Sequence, residues 1–157
     1  MLHLVLYAPE IPNNTGTIGR TAVAVGARLH LIKPLGFDLG EKALRRAGLD
    51  YWQDLDLRVH EDWVAFLATE QPPRLWALTA RTARSVWEAR FQDGDYLLFG
   101  GESDGLPDAI KQDVRSRWGD DVDVGLPQQA GIRSLNLACA ATAATYEALR
   151  QIHAAAQ

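Results

Sequence analysis

The sequence predicts an α/β protein: a mostly parallel sheet with helices on both faces. Three observations predict it. Short runs such as LHLVLY (2–7), RLWALT (74–79) and DYLLFG (95–100) are apolar without clean alternation. Strands of that kind are buried on both sides, as parallel strands between helical layers are. These runs alternate with helical stretches, the order that builds βαβ units. Proline, glycine or asparagine punctuates most of the boundaries.

Leu2–Tyr7 is the first buried strand. Pro9 and Pro12 keep the next residues extended. Asn13 or Asn14 is placed to cap a helix running to about Val25, and Gly26 to end it. Arg28–Lys33 is the second strand, followed by a loop marked by Pro34, Gly36 and Gly40. A short helix is expected over Glu41–Ala47, closed by Gly48. Leu57–His60 reads as a third strand, and Glu61–Thr69 as a helix with Trp63, Phe66 and Leu67 on one side. Arg74–Thr79 is the next strand, and Val86–Arg90 a turn or short helix. Asp95–Gly100 runs into a glycine-rich loop. Pro107 opens a helix to about Val114, and Arg115–Asp121 reads as polar and exposed. Val122–Leu126 is the last strand. It leads through a polar loop into a helix reaching Arg150, apolar or small almost all round, which predicts burial.

Bulk properties narrow the function. A chain of 157 residues, 23% charged and 47% hydrophobic, fits one soluble globular domain over residues 1–157. No stretch has the apolar length of a membrane span, and no secretory leader is expected. Cys139 is the single cysteine, which excludes an internal disulfide and a cysteine-based metal site. His3, His30, His60 and His153 are far apart and match no ligand spacing, so strand or surface positions are expected and no metal. The expected setting is reducing and cytoplasmic. A net charge of −4 argues mildly against a nucleic-acid partner. Local patches decide that question, and arginines gather at Arg45-Arg46, at Arg81 and Arg84, and at Arg115 and Arg117.

In open α/β sheets, ligands bind where strands end and their loops diverge. Three strand ends carry informative residues: Leu78-Thr79-Ala80, Gly100 to Pro107, and Leu126 to Ser134. Gly100, Gly101 and Gly105 let backbone approach a ligand closely. The dinucleotide pattern G-x-G-x-x-G fails, because Glu102 occupies its third position, and no P-loop lysine follows. The Glu102 carboxylate would repel phosphate and suit a ribose hydroxyl or a cationic ligand. Apolar walls from Leu78, Leu126 and Leu135 suit an adenosine or a sulfonium. The first helix adds Asn14, a cap or a site residue, and Arg20. A cation among small apolar neighbours must reach solvent, be paired, or anchor a ligand.

Taken in order, the three segments Asn14–Arg20 (NTGTIGR), Leu98–Pro107 (LFGGESDGLP) and Leu126–Leu137 resemble the motifs of the SPOUT class of RNA methyltransferases. The resemblance covers nearly the whole chain. It is strongest to the minimal branch that methylates the 2′-hydroxyl of the wobble nucleotide, position 34, cytidine or uridine, of tRNA. Further local matches are Pro9–Asn13, Arg45–Tyr51 and Gln92–Tyr96. The resemblance implies a deep C-terminal trefoil knot over about residues 74–150. It also implies a homodimer, S-adenosylmethionine as methyl donor with S-adenosylhomocysteine as product, and the tRNA anticodon loop as partner, with no DNA or membrane. It places Arg20, Arg133, Tyr146 and Asn14 near the reacting ribose. Leu78, Thr79, Gly100, Glu102, Gly105, Leu126, Ser134, Leu135 and Asn136 would hold the cofactor. Departures from the branch are Asp104 where a basic residue is common, Gln128 where methionine is usual, a longer loop before Arg133, and Ala138-Cys139 in place of Ser-Asn.

Attack of a ribose oxygen on a sulfonium methyl needs no metal. It needs alignment, help with the hydroxyl proton and charge stabilisation. Arginine stays protonated, so Arg20 is expected to lower the hydroxyl pKa rather than act as a base. Three other readings stay open on sequence alone: a methyltransferase for ribosomal RNA or another tRNA position, a silent RNA-binding module, and a generic doubly wound enzyme.

Overall fold

The computed structural model describes residues 1–40, 42, 46 and 49–156. The elements are β1 (His3–Tyr7), α1 (Pro12–Val25), β2 (Arg28–Ile32), β3 (Leu57–His60), α2 (Trp63–Glu70), β4 (Leu75–Leu78), β5 (Tyr96–Phe99), α3 (Asp108–Trp118), β6 (Asp123–Val124) and α4 (Leu137–Ala155). Short 3-10 turns cover Leu49–Asp54, Val86–Glu88 and Asp120–Val122. The helix expected over Glu41–Ala47 falls outside the described residues, apart from Lys42 and Arg46.

The six strands lie in the order β3-β2-β1-β5-β4-β6, and every pairing is parallel. The chain starts in the middle of the sheet, runs outward to β3, then returns to build the other side. The reversal falls between β1 and β5, so the loops after those two strands diverge there.

Period-two alternation divides the core. Leu4, Leu6, Leu29, Leu31, Leu97 and Phe99 pack beneath Ile18 and Ala22 of α1 and Ala138, Ala141, Ala144 and Ala148 of α4. On the other face Val5, Ile32, Ala77 and Leu98 meet Trp63 and Phe66 of α2 and Ile110 and Val114 of α3. Phe66 is fully buried, worth about 1.5–3 kcal/mol relative to exposure. Asp95 anchors the lower end of the sheet. Its carboxylate accepts from Arg74 Nε at 2.7 Å, Trp76 Nε1 at 2.7 Å and the Gln92 amide at 2.9 Å.

Several boundaries differ from expectation. Asn13 and Asn14 do not cap α1: the cap position is Ile11, with no side-chain bond, and Pro12 starts the helix. Proline at the first helical position removes a donor that has no intrahelical partner, so the asparagine side chains are free for other bonds. Gly26 ends α1 in the left-handed region as expected. The polar tract after Val114 is helical to Trp118. Arg117 Nε donates to Asp113 at 2.8 Å, Arg115 Nε to Asp123 at 2.7 Å, and Trp118 Nε1 to the Pro72 carbonyl at 3.2 Å. The last strand shrinks to two residues, because Gly125 pairs with Ser85 and Pro127 has no N–H to offer a ladder. The final helix is not buried all round. Ala138, Ala141, Ala144, Thr145 and Ala148 face the core, whereas Cys139, Ala143, Tyr146 and Arg150 form an exposed stripe.

Candidate active site

A cleft of about 660 Å³ opens at the ends of β4, β5 and β6. Its floor is set by backbone contact. A Cβ on Gly100 would lie 2.1 Å from the Gly105 carbonyl carbon and 2.2 Å from the Leu106 nitrogen. Gly105 adopts φ +67° and donates its amide to the Gly101 carbonyl at 3.0 Å. The loop thus folds tightly on itself, and only glycine permits that approach at 100.

Two carboxylates lock this loop to the one after β1. Glu102 Oε2 accepts the Glu10 amide at 2.7 Å; its Oε1 accepts the Ile11 amide at 3.1 Å and Asn14 Nδ2 at 3.3 Å. Glu10 answers in the other direction, accepting the Ser103 hydroxyl at 2.6 Å and the Ser103 amide at 2.9 Å. The Ser103 hydroxyl, then its amide, hold the Glu10 carboxyl below its ordinary range. Ala8, at the start of this clasp, has φ +48°, a costly conformation for a residue with a side chain. The Ala8 carbonyl oxygen would lie 2.8 Å from a Cβ on Gly101, so that glycine also admits a close crossing.

The third segment closes over the first two. Asn136 caps α4, accepting the amides of Ala138 and Cys139 at 2.9 and 3.2 Å. Its Nδ2 donates to Asn14 Oδ1 at 3.0 Å. Asn14 therefore stands between Glu102 and Asn136, with both ends of its amide used. Arg133 Nη2 donates to the Ser103 carbonyl at 3.0 Å.

Of the residues singled out from the sequence, Asn14, Leu78, Thr79, Gly100, Glu102, Gly105, Leu126, Arg133, Ser134, Leu135 and Asn136 all line this cleft. Arg20 and Tyr146 do not. Arg20 lies exposed on α1 with its guanidinium 5.2 Å from the centre of the Tyr51 ring, and it has no carboxylate partner among the described residues. Tyr146 is 54% exposed on α4. Glu102 also ties the loops together: three donors from the opposite loop and α1 reach its oxygens, while the residue still lines the cleft.

Sequence reasoning missed Lys111, and it named Arg115 only within an arginine cluster and Gln128 only as a departure in the third motif. Lys111 and Arg115, one turn apart on α3, line the cleft. Their i, i+4 spacing just after a glycine loop was the available signal. Gln128 also lines it, and its Oε1 is buried without a hydrogen-bond partner. An orphaned buried acceptor costs about 1–3 kcal/mol and is well suited to a ligand N–H.

Residues 1–146 match the family described as SpoU rRNA Methylase. The chain belongs to that family. A relative from Burkholderia ambifaria, named tRNA (cytidine(34)-2'-O)-methyltransferase, is 45% identical over 153 residues, covering 96% of each protein. A solved structure presented as "Structural insights into the 2-OH methylation of C/U34 on tRNA" is 52% identical, with a TM-score of 0.86, covering 96% of this chain and 95% of that one. The SpoU methyltransferase AviRb from Streptomyces viridochromogenes, in complex with AdoMet, is 31% identical with a TM-score of 0.77. The match covers 96% of this chain and 60% of AviRb. The sheet, the cleft and the three converging loops are therefore features of a SpoU methylase.

Proposed function

We propose that this chain methylates the ribose 2′-oxygen of nucleotide 34, cytidine or uridine, of tRNA. The observation that carries this reading is the cleft where three strand-end loops meet, in a chain that aligns over almost its full length with enzymes named for that reaction. S-adenosylmethionine, when bound, supplies the methyl group on a sulfonium and leaves as S-adenosylhomocysteine. The cleft suits it on its own chemistry. The Gly100 cradle admits close backbone approach, Leu78, Leu126 and Leu135 offer apolar walls, and the Gln128 oxygen lacks a donor. Thr79, Glu102, Gly105, Ser134 and Asn136 complete the holding set, and Glu102 also ties the loop to the start of α1.

Arg20 acts on the ribose hydroxyl. It lowers that hydroxyl's pKa electrostatically, and a phosphate, tyrosine or water takes the proton, because the guanidinium stays charged. Arg133 sits at the rim, and Asn14 holds the α1 end of the site. Arg20 lies outside its own chain's cleft, exposed beside Tyr51 on α1, the helix that packs against α4. The apolar and small stripe of α4, with Tyr146, seats a second copy there, and this homodimer brings Arg20 and Tyr146 to the combined site. The chain is read as one domain over residues 1–157 with a knot over about 74–150. Support for the knot is the passage of the 126–136 segment against the loop after β5, where Arg133 bonds Ser103. The partner is the anticodon loop in the cytoplasm, with no DNA or membrane. Among the described residues no helix is long and apolar enough to cross a membrane.

The test is to incubate the chain with methyl-labelled S-adenosylmethionine and bulk tRNA, digest, and map the label. Label on the 2′-oxygen of nucleotide 34 is expected. Label at another position, or on ribosomal RNA only, overturns the reading.

A further inference from the structure

Three histidines that lie far apart in sequence meet on the α2 side of the sheet. His3 on β1, His30 on β2 and His60 on β3 form a chain. His3 Nδ1 is 3.0 Å from His30 Nε2, and His30 Nδ1 is 3.1 Å from His60 Nε2. Glu70, the last residue of α2, comes down beside the second of these bonds. Its Oε1 is 3.8 Å from both His30 Nδ1 and His60 Nε2. The Glu70 side chain is 9% exposed and His30 is fully buried. The two histidines are the only basic groups within ion-pair distance of Glu70 among the described residues. Three atoms able to ligate a metal, one from each of His30, His60 and Glu70, thus lie within 3.8 Å of one another in a nearly buried position.

We propose that His30 Nδ1, His60 Nε2 and Glu70 Oε1 bind one divalent transition-metal ion of the zinc class, with water in the remaining position. Bonds of about 2.0–2.1 Å at a tetrahedral angle set donor atoms roughly 3.3–3.4 Å apart. The three separations of 3.1, 3.8 and 3.8 Å bracket that spacing, so a small turn of the two rings toward Glu70 makes the donors converge. The surrounding bonds are those a ligated histidine needs. With Nδ1 on the metal, His30 carries its proton on Nε2 and donates it to His3, which fixes its tautomer and orientation. His60, freed of its bond to His30, carries its proton on Nδ1. The Tyr96 hydroxyl donates to the other Glu70 oxygen at 3.4 Å. Two imidazoles and one carboxylate select zinc, cobalt, nickel or copper over magnesium or calcium. None of the three residues lines the cleft, so the ion is remote from methyl transfer. It would tie the edge strand β3 to β2 and to the end of α2.

The test uses the full chain after chelator treatment, titrated with Co²⁺ and separately with Zn²⁺. The expected result is one equivalent of cobalt with the intense visible bands of four- or five-coordinate metal. Zinc is expected to raise Tm by roughly 5–10 °C when free metal is about a hundredfold above Kd. H60A and E70Q lose both effects, and H153A, on exposed α4, keeps them. Should the two cluster variants fail to fold, ¹⁵N shifts of the imidazoles in the unmutated chain decide. Zinc must move His30 Nδ1 and His60 Nε2 while leaving His153 in place. A cobalt spectrum that stays that of the hydrated ion, with no Tm change, overturns the proposal. So does metal binding that survives in E70Q and H60A but disappears in H153A.

Discussion

The Glu102 carboxylate accepts the side-chain amide of Asn14 at 3.3 Å across 88 residues of chain, and it also takes the two backbone amides that precede α1. This joins the glycine loop after β5 to the start of α1. Replacing Glu102 by Gln keeps the shape but puts an NH2 donor in place of one oxygen, facing N–H groups that need an acceptor. Losing such bonds costs about 1–3 kcal/mol. The expected outcome is a lower Tm and a raised KM for S-adenosylmethionine, with kcat falling less than the cofactor affinity does. Isothermal titration and initial rates separate these effects. An unchanged cofactor affinity in E102Q contradicts the locking role.

Gly100→Ala is the sharper test of the cleft floor. The added methyl would stand 2.1 Å from backbone of the next turn of the same loop, and backbone cannot yield as a flexible side chain can. Overpacking of this kind costs about 1–3 kcal/mol. G100A is expected to fold with reduced stability and to lose cofactor binding by at least tenfold. Binding within twofold of the unmutated chain shows that the loop can rearrange.

Arg20→Ala removes a charge that contacts only the Tyr51 ring among the described residues. Stability and cofactor binding are expected to stay near the unmutated values. Methyl transfer should fall by a factor on the order of 10²–10³, the usual size for loss of one stabilising charge. A normal rate in R20A removes Arg20 from the mechanism. Mixing R20A with a chain carrying Gly100→Ala then tests the dimer: recovery of activity in the mixture is expected where the two residues serve one site from different copies.

How much of this was legible in the sequence follows from what each residue bonds to. The strands were, because uninterrupted apolar runs bounded by Pro and Gly leave few alternatives. The three loops were, because strand ends carry glycine where backbones must cross closely. The Glu102–Asn14–Asn136 chain was not. Each bond spans about half or more of the protein, and local sequence makes Asn14 look like a helix cap until Pro12 takes that end. The two-residue length of β6 was hidden too, because Val122, Val124 and Leu126 alternate as a strand would while Gly125 and Pro127 limit its pairing. The histidine chain leaves no spacing signal, since parallel strands bring residues 3, 30 and 60 together by topology.

The histidines also set an acid response. Burial holds His30 at about 3 and His3 at about 4, and it lowers His60. In the unfolded chain all three titrate near 6.5. The unfolded state therefore binds more protons between about 6.5 and 4, and stability falls as pH drops through that window. The effect is complete above 6.5 and adds nothing further there. The carboxyls with lowered values, Glu10, Asp93, Asp113 and Glu147, contribute only below about 4.5, so the interval from 6.5 to 5 isolates the histidines. Urea midpoints should decline across that interval in metal-free buffer. A flat profile there contradicts the buried neutral state of the cluster.

The central claim concerns one oxygen. A synthetic anticodon stem-loop carrying 2′-deoxyribose at nucleotide 34 alone, compared with loops deoxygenated at 33 or 35, tests it directly. Methyl transfer from S-adenosylmethionine is predicted to vanish for the first and persist for the other two. Transfer to the loop lacking the hydroxyl at 34, at the rate of the unmodified loop, contradicts the account.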